Sequence, residues 1–355
     1  MNHYSALKQA LKPHLAWHRA RLSVLAMFLL ALIKVKTINL SELAVGFGGK
    51  SLKESNYKRL QRFFRNFELD YSKIAKIVVG WLMKLPQPWL LSLDWTTWKL
   101  GEHCYNILTV GIVHEGVAIP LLWWLLKKKG NSNSDERMRF IEAIFKNFPT
   151  ARIRCLCADR EFIGQAWLRH LLLEPSLSLR LRIRATDKIE RNGKALSAKV
   201  VFAHLAIGES QQLPGDCRVC GNRVSLEALR LEDGDLLIVI APPHTVGLVS
   251  DYALRWGIET LFGIFKTRGF CLESTHFTDP ERLRKLFALL TLALVWSLKT
   301  GLWLHQLHPI RLKKHGRRSQ SLFRLGFDHL RHLILNPSLP NHRDFLHSLQ
   351  FLSCT

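Results

Sequence analysis

Two apolar runs in this 355-residue chain each end on an aspartate, and that pattern limits its architecture more than any other feature. Leu91-Ser92-Leu93 leads into Asp94, and Ile153-Arg154-Cys155-Leu156-Cys157-Ala158 leads into Asp159. A carboxylate at the end of a buried strand loses solvation unless it is paired or binds a cation. A single case reads as a strand-end Asp hydrogen-bonded locally. Two such carboxylates on two strands of one sheet point to metal or acid–base chemistry.

The neighbouring segments predict an α/β layer fold. Trp89–Trp98, Tyr105–Val113 and Val117–Leu126 are β-prone runs separated by Gly101 and by His114-Glu115-Gly116, the spacing of an antiparallel meander. Residues 134–147 open with an acidic turn and read as a helix. A strand at 152–158, a helix at about 164–173 and a strand at 178–185 follow. The order β-β-β-α-β-α-β is that of a mixed sheet covered by helices. Residues 187–247 break this rhythm. Lys199–Leu205, Cys217–Val219, Ser225–Leu231 and Leu236–Ile240 alternate, with turns expected at Pro214-Gly215 and Asp233-Gly234, so the segment reads as a β-rich insertion.

Helices are expected on either side. Residues 4–85 break only at Pro13 and at Gly46-Phe47-Gly48-Gly49. Ser51 and Glu54 are then spaced as a capping box, and the next helix carries Lys53, Lys58, Arg59, Arg62 and Arg65 beside Leu60, Phe63 and Phe64. This is either a helix-turn-helix-like DNA binder or an ordinary amphipathic helix with a solvated basic face. Pro86 and Pro88 mark a boundary. The expected organisation is a helical DNA-binding region at 1–85, a catalytic domain at 86–300 with the insertion at 187–247, and a basic, His-rich helical region at 301–355.

The net charge is +23, and 48% hydrophobic content excludes wholesale disorder. Residues 1–90 carry +11, 91–274 carry +4 and 275–355 carry +8, while 20 of the 28 carboxylates fall in the middle block. The flanks attract a polyanion, nucleic acid first and an anionic membrane second. The apolar runs Leu22–Ile33 and Leu286–Leu298 are too short to span a bilayer and read as buried helices, so no membrane partner is expected. Seven cysteines without a secretory signal read as reduced thiols of a cytoplasmic protein. Cys217-x2-Cys220 has no second pair and reads as two hairpin cysteines without metal. No phosphate-cradling GxxxxGKS loop indicates ATP-driven chemistry.

A third acid, Glu259, lies on a helix expected to begin near Ser250. At about 100° per residue Tyr252, Arg255, Glu259 and Lys266 share one arc of about 60°, beside a core stripe of Leu254, Ile258, Leu261, Phe262 and Phe265. An Arg255–Glu259 surface pair is the plain alternative. Three carboxylates from different elements suffice for divalent ions, and a two-ion site serves in-line phosphoryl displacement. Arg255 and Lys266 would then hold a phosphodiester, and Tyr252 a phosphate, sugar or base.

At these positions the sequence resembles the insertion-sequence-four family of bacterial DDE transposases. Tyr252-x2-Arg255-x3-Glu259-x6-Lys266 matches that family's Y-x2-R-x3-E-x6-K signature, and Asp159-Arg160-Glu161-Phe162 resembles its D-R-x-F segment. The resemblance covers roughly residues 90–300. It implies a ribonuclease-H-like mixed sheet with helices on both faces and a β-rich insertion between the second Asp and the Glu. Asp94, Asp159 and Glu259 would be catalytic and would hold Mg²⁺ or Mn²⁺, two ions per site. Tyr252, Arg255 and Lys266 would contact double-stranded DNA at the transposon's terminal inverted repeats. Arg184, at the end of a core strand, is a further candidate phosphate contact, or simply a strand-edge arginine. Relatives stack an insertion aromatic on a flipped base; Phe202 is the only aromatic in 187–247, and that role is not carried over. The implied activity is cleavage at the element's ends and transfer of the freed 3′-hydroxyl to target DNA, by a homodimer. The competing readings are a ribonuclease-H-like nuclease that cuts without joining and a catalytically silent DNA-binding descendant.

Overall fold

The computed structural model describes residues 2–81, 88–100, 102–128, 130–173, 177–314 and 316–352. Pro86 lies outside them, so only Pro88 of the expected boundary pair is described. The chain runs α1 (His3–Leu11), α2 (Arg19–Val35), α3 (Leu40–Gly46), α4 (Lys53–Asn66), α5 (Tyr71–Trp81), β1 (Trp89–Leu100), β2 (His103–His114), β3 (Val117–Leu126), α6 (Ser134–Phe145), β4 (Ile153–Ala158), α7 (Gln165–Leu173) and β5 (Leu179–Ile183). It continues through β6 (Lys188–Arg191), β7 (Lys194–Ser197), α8 (Ala198–Val201), β8 (Ser210–Val219), β9 (Asn222–Arg230), β10 (Leu236–Ala241), α9 (Leu248–Ala253), α10 (Gly257–Gly263), α11 (Pro280–Leu307), α12 (Leu322–Leu335) and α13 (Leu339–Gln350). Two compact units result. One comprises residues 1–85, 98–103 and 262–355, and the other residues 86–97 and 104–261.

The second unit is built on a ten-stranded sheet of order β3-β2-β1-β4-β5-β10-β9-β8-β6-β7. The hairpin β2–β3 is antiparallel, as the meander predicts, whereas β1, β4 and β5 are parallel neighbours. Parallel neighbours need a crossover, and α7 supplies the one between β4 and β5. β10 then pairs antiparallel with β5, and β9 and β8 follow it. The β-rich segment is therefore a continuation of the core sheet.

Side chains alternate across a sheet, so the register identifies its faces. Leu90 and Ser92 pair with Cys155 and Cys157, Cys157 with Arg180, and Arg182 with Val239. Val113 packs onto the Leu90, Cys155 and Cys157 cluster. α9 covers this face: Val239 and Ala241 pack with Leu248 and Tyr252, and Glu227 accepts the Leu248 and Val249 N–H groups at 2.6 and 3.1 Å. α6 covers the other. Leu108, opposite in parity to Val113, pairs with Trp124, whose ring meets Phe140 of α6 edge-on at 5.1 Å. An Asn133–Glu136 capping box starts α6, as its acidic first turn predicts.

Two local expectations fail in this unit. Lys199–Leu205 is not a strand: α8 and the turn after it bury Ala198, Phe202 and Leu205, spaced four and three apart as one helical face requires. Pro214-Gly215 is not a turn, because the chain continues through it as β8, with a register shift between Leu213 and Cys217. The β8–β9 hairpin instead turns at Cys220 and Gly221, whose φ values of 48° and 73° suit a two-residue primed turn. The Asp233-Gly234 turn forms between β9 and β10.

The first unit is helical. α11 is long and apolar enough by length and composition to cross a membrane, but 83% of that stretch is buried inside the protein. It contains the Leu286–Leu298 run, and α2 contains the Leu22–Ile33 run. Lys285 of α11, also buried, donates to the Phe64 carbonyl at 3.0 Å, and the Phe64 ring packs against Phe28 and Phe277. The short-helix, glycine-turn, basic-helix order forms as α3 and α4, with Lys53, Lys58, Arg59, Arg62 and Arg65 exposed and Leu60, Phe63 and Phe64 buried. The Ser51–Glu54 capping box does not. The N-cap is Leu52, which has no side-chain acceptor, and Ser51 falls one residue outside the position that can reach the N3 amide.

α11 and α12 cross backbone to backbone at two glycines. A Cβ on Gly301 would overlap the Leu322 carbonyl oxygen, and a Cβ on Gly326 would overlap the Ser297 carbonyl oxygen. Main-chain atoms inside two packed helices cannot step aside. Gly301→Ala and Gly326→Ala are each expected to destabilise by more than about 3 kcal/mol, beyond ordinary overpacking, and thermal denaturation would register the loss.

Candidate active site

The last paired residues of β1 and β4 are Leu93 and Ala158, after Ser92 and Cys157. Asp94 and Asp159 are the next residues, with the parity of Ser92 and Cys157, on the face that α9 covers. The Asp94 carboxylate accepts the Trp95 N–H at 2.8 Å, and that of Asp159 accepts the Arg160 N–H at 2.7 Å. The turn after Asp159 is fixed from two sides. Arg137, itself buried, donates to the Glu161 carbonyl at 3.0 Å with its guanidinium 4.9 Å over the Phe162 ring. The Trp95 indole N–H donates to the Glu161 carboxylate at 2.8 Å.

The Tyr252, Arg255 and Glu259 segment is not one regular helix. After α9, residues Leu254–Trp256 form a 3-10 turn before α10, and Ile264–Arg268 form a π turn. A uniform 100° step therefore misplaces Leu254, expected in the core stripe but 50% exposed. Ile258, Leu261, Phe262 and Phe265 are buried as expected. Gly257 lets the segment settle close to the sheet: a Cβ there would lie 3.0 Å from Val113 and 3.1 Å from the Val117 and Ala118 backbone. Ser92 Oγ donates to the Arg255 carbonyl at 3.3 Å from the sheet below.

These elements bring five of the seven predicted residues into one network. Arg255 Nη1 donates to Asp94 at 2.7 Å and Nη2 to Glu259 at 3.5 Å, while the Tyr252 hydroxyl donates to Asp159 at 3.1 Å. Arg255 is 8% exposed against 41% for Glu259, so it is a buried bridge rather than half of a surface pair. Arg184, one residue past β5, is exposed, and its backbone N–H donates to Asp187 at 2.8 Å. Lys266 belongs to the other compact unit.

Burial, reinforced by Glu259, pushes the Asp94 carboxyl up to about 7 although Arg255 and the Trp95 N–H pull it down. Burial likewise raises the Tyr252 hydroxyl above its ordinary range, with Asp159 adding to the effect. Burial opposes the Arg255 charge, but Tyr252, Asp94 and Asp159 overcome it and hold the guanidinium above its usual value. For the Asp94–Arg255 pair the secure direction is that Arg255 stays charged. One cation shared among acids leaves Asp94 short of positive charge.

The donor set suits a hard divalent ion in kind, since all three acids offer carboxylate oxygens. Among the described residues, no three His, Cys, Asp or Glu side chains lie close enough together to hold a metal ion. Arg255 takes the space between Asp94 and Glu259.

Two residues escaped the sequence reading. Arg182 approaches Asp159 at 4.0 Å. Its signal was the period-2 row Arg180, Arg182, Arg184 on a buried strand, three cations that need partners on one face. Asp251 is buried between Arg154 and Arg180, 2.7 Å from the latter, and fastens α9 across β4 and β5.

Fold and network together define an α/β protein with a carboxylate centre where the parallel pairing of β1 and β4 ends, Asp94 inside β1 and Asp159 just after β4. Residues 85–296 match the model of the transposase DDE domain family, to which the chain belongs. No curated protein matches the sequence. Among solved structures, the chain is similar to the piggyBac transposase synaptic complex with hairpin DNA at a TM-score of 0.49 and 12% identity, over 94% of this chain and 76% of that one. It is similar to endonuclease V from Bacillus subtilis at a TM-score of 0.29 and 11% identity, over 67% of this chain and 94% of that one.

Removing one partner of a buried ion pair strands the other charge, at a cost of about 3–5 kcal/mol. Asp251→Ala, which strands the buried Arg180, is expected to lose that much in urea denaturation. Asp328→Ala, which opens the exposed 2.9 Å Arg324–Asp328 pair, should change stability by less than about 1 kcal/mol.

Proposed function

We propose that this chain is a cut-and-paste DNA transposase of the insertion-sequence-four type. It cleaves at the ends of its element and transfers the freed 3′-hydroxyl to target DNA. The reading rests above all on the Arg255 guanidinium held between Asp94 and Glu259 with Tyr252 on Asp159. That arrangement gives a purpose to the spacing Tyr-x2-Arg-x3-Glu and ties it to both sheet acids, Asp94 and Asp159. Membership of the transposase DDE domain family supports it, as does a strand order compatible with a ribonuclease-H-like core.

In this proposal Asp94, Asp159 and Glu259 would hold Mg²⁺ or Mn²⁺, two ions per site, once the carboxylates close up and Arg255 leaves the space between Asp94 and Glu259. When bound there, such ions would supply Lewis-acid activation of the scissile phosphate and of the attacking water or 3′-hydroxyl. The chain's own residues position the DNA. Tyr252 keeps the Asp159 carboxylate oriented, and Arg182 adds positive charge beside it. Arg255 and Lys266 neutralise the phosphodiester backbone of the transposon end, with Arg184 a further contact. Burial of Arg255 makes its charge more effective than the same group in water. Residues 1–85 contribute nonspecific grip on double-stranded DNA through the exposed cations of α4. The active form is a homodimer on paired ends, working in the cytoplasm.

The test supplies the element's terminal inverted repeats, target DNA and Mg²⁺ or Mn²⁺. Wild type is expected to yield nicked and joined products that vanish on chelation. Asp94→Asn, Asp159→Asn and Glu259→Gln are expected to lose both products while still shifting the same DNA in a gel. Undiminished cleavage by these variants would overturn the proposal. Cleavage without joining would indicate a nuclease, and metal-independent binding alone a silent DNA binder.

A further inference from the structure

The helical unit contains a cavity of about 850 Å³ bounded by α1, α2 and the Gly48-Gly49 turn before α4. Its volume lies within the range of sites that enclose small molecules, ~300–1,000 Å³. Arg19, Lys34 and Arg59 line it, together with the rings of Tyr4, His3 and His18, and none of its described lining residues is acidic. The surroundings strengthen this bias. The unit carries 30 Lys and Arg against 10 Asp and Glu, a net +20 of the chain's +23. Burial lowers the His3 imidazole from its ordinary value, and the nearby His342 and Lys34 add to the effect.

Cations beside stackable rings form the combination that single-stranded nucleic acid recognises, charge on the backbone and a ring face on the base. A duplex presents only phosphates to such a recess, because its bases are stacked inward; an unpaired nucleotide can enter. We propose that this cavity binds one nucleotide of an unpaired DNA strand, the phosphate between Arg19 and Arg59 and the base against Tyr4 and His18. The site is separate from the carboxylate centre, and it rests on the reading of the chain as a DNA-handling protein.

Fluorescence anisotropy of the full-length protein with labelled oligo(dT) and with a blunt duplex tests this. Arg19→Gln/Arg59→Gln replaces two exposed side chains, so folding should be intact. It is expected to weaken oligo(dT) binding about tenfold and to flatten its salt dependence by about 0.7 per lost phosphate contact. Tyr4→Ala should weaken oligo(dT) but leave the duplex unaffected. Photo-cross-links from 5-iododeoxyuridine in the oligonucleotide should map to α1 and α2. An equal loss in the control Arg311→Gln/Lys313→Gln, two exposed cations outside the cavity, would reduce the effect to net charge and overturn the proposal. So would cross-links elsewhere, or micromolar competition by free dTMP, which would make it a mononucleotide site. Duplex binding with no role for the cavity would defeat this inference alone. Failure to bind any DNA would defeat the functional reading as well.

Discussion

The parallel ladder between β1 and β4 is the constraint on which the candidate site depends. It fixes Ser92 opposite Cys157 and Leu93 opposite Ala158, so Asp94, inside β1, and Asp159, just past the end of β4, stand at the same level. A one-residue slip would turn one carboxylate to the opposite face. Parity also gathers Arg180 and Arg182 of β5 under α9, so Arg180, which joins Arg154 of β4 on Asp251, and Arg182, which approaches Asp159, belong to the same row. Main-chain pairing thus decides which charges meet before any side chain adjusts.

Two acids on this face have opposite circumstances. Asp251 is held by two arginines, an arrangement that suits a fixed structural anchor. Asp94 shares one guanidinium with Glu259, and burial raises its carboxyl toward neutrality. The first acid has its charge matched and the second does not. A carboxylate left short of positive charge is where an additional cation gains most, whereas one matched by two arginines is held in place.

Much of this was legible in the sequence, because period and punctuation are local properties. The strands at 117–126 and 153–158, the capped helix from Ser134 and Asp159 at the end of β4 follow from alternation, turn residues and an acidic first turn, whereas Asp94 lies inside β1, which runs on to Leu100. What escaped depends on departures from ideal geometry or on partners distant in sequence. A uniform helix carried Leu254 into the core, whereas a 3-10 turn leaves it exposed. Phe202, the one aromatic of residues 187–247, is fully buried, which alternation along the segment does not reveal. Asp251 reads as a solvated helix acid until β4 and β5 bring Arg154 and Arg180 beneath it. Arg182 was visible as one of three alternating arginines, but only the sheet order supplies Asp159 as its neighbour.

Charge along the chain and charge in the fold divide differently. By sequence the excess lies in two flanks about a nearly balanced middle. Folding gathers those flanks into one helical unit of net +20 and leaves the sheet unit at +3. The consequence is a separation of tasks by physics. A surface of high like charge attracts a polyanion over a Debye length of about 8–10 Å and loses that attraction steeply as salt rises. A buried ion pair such as Arg255–Asp94 is little affected by salt and discriminates at the distance of a hydrogen bond. Within the sheet unit, burial and Arg255 act in opposite directions on Asp94, burial raising its carboxyl and the guanidinium lowering it.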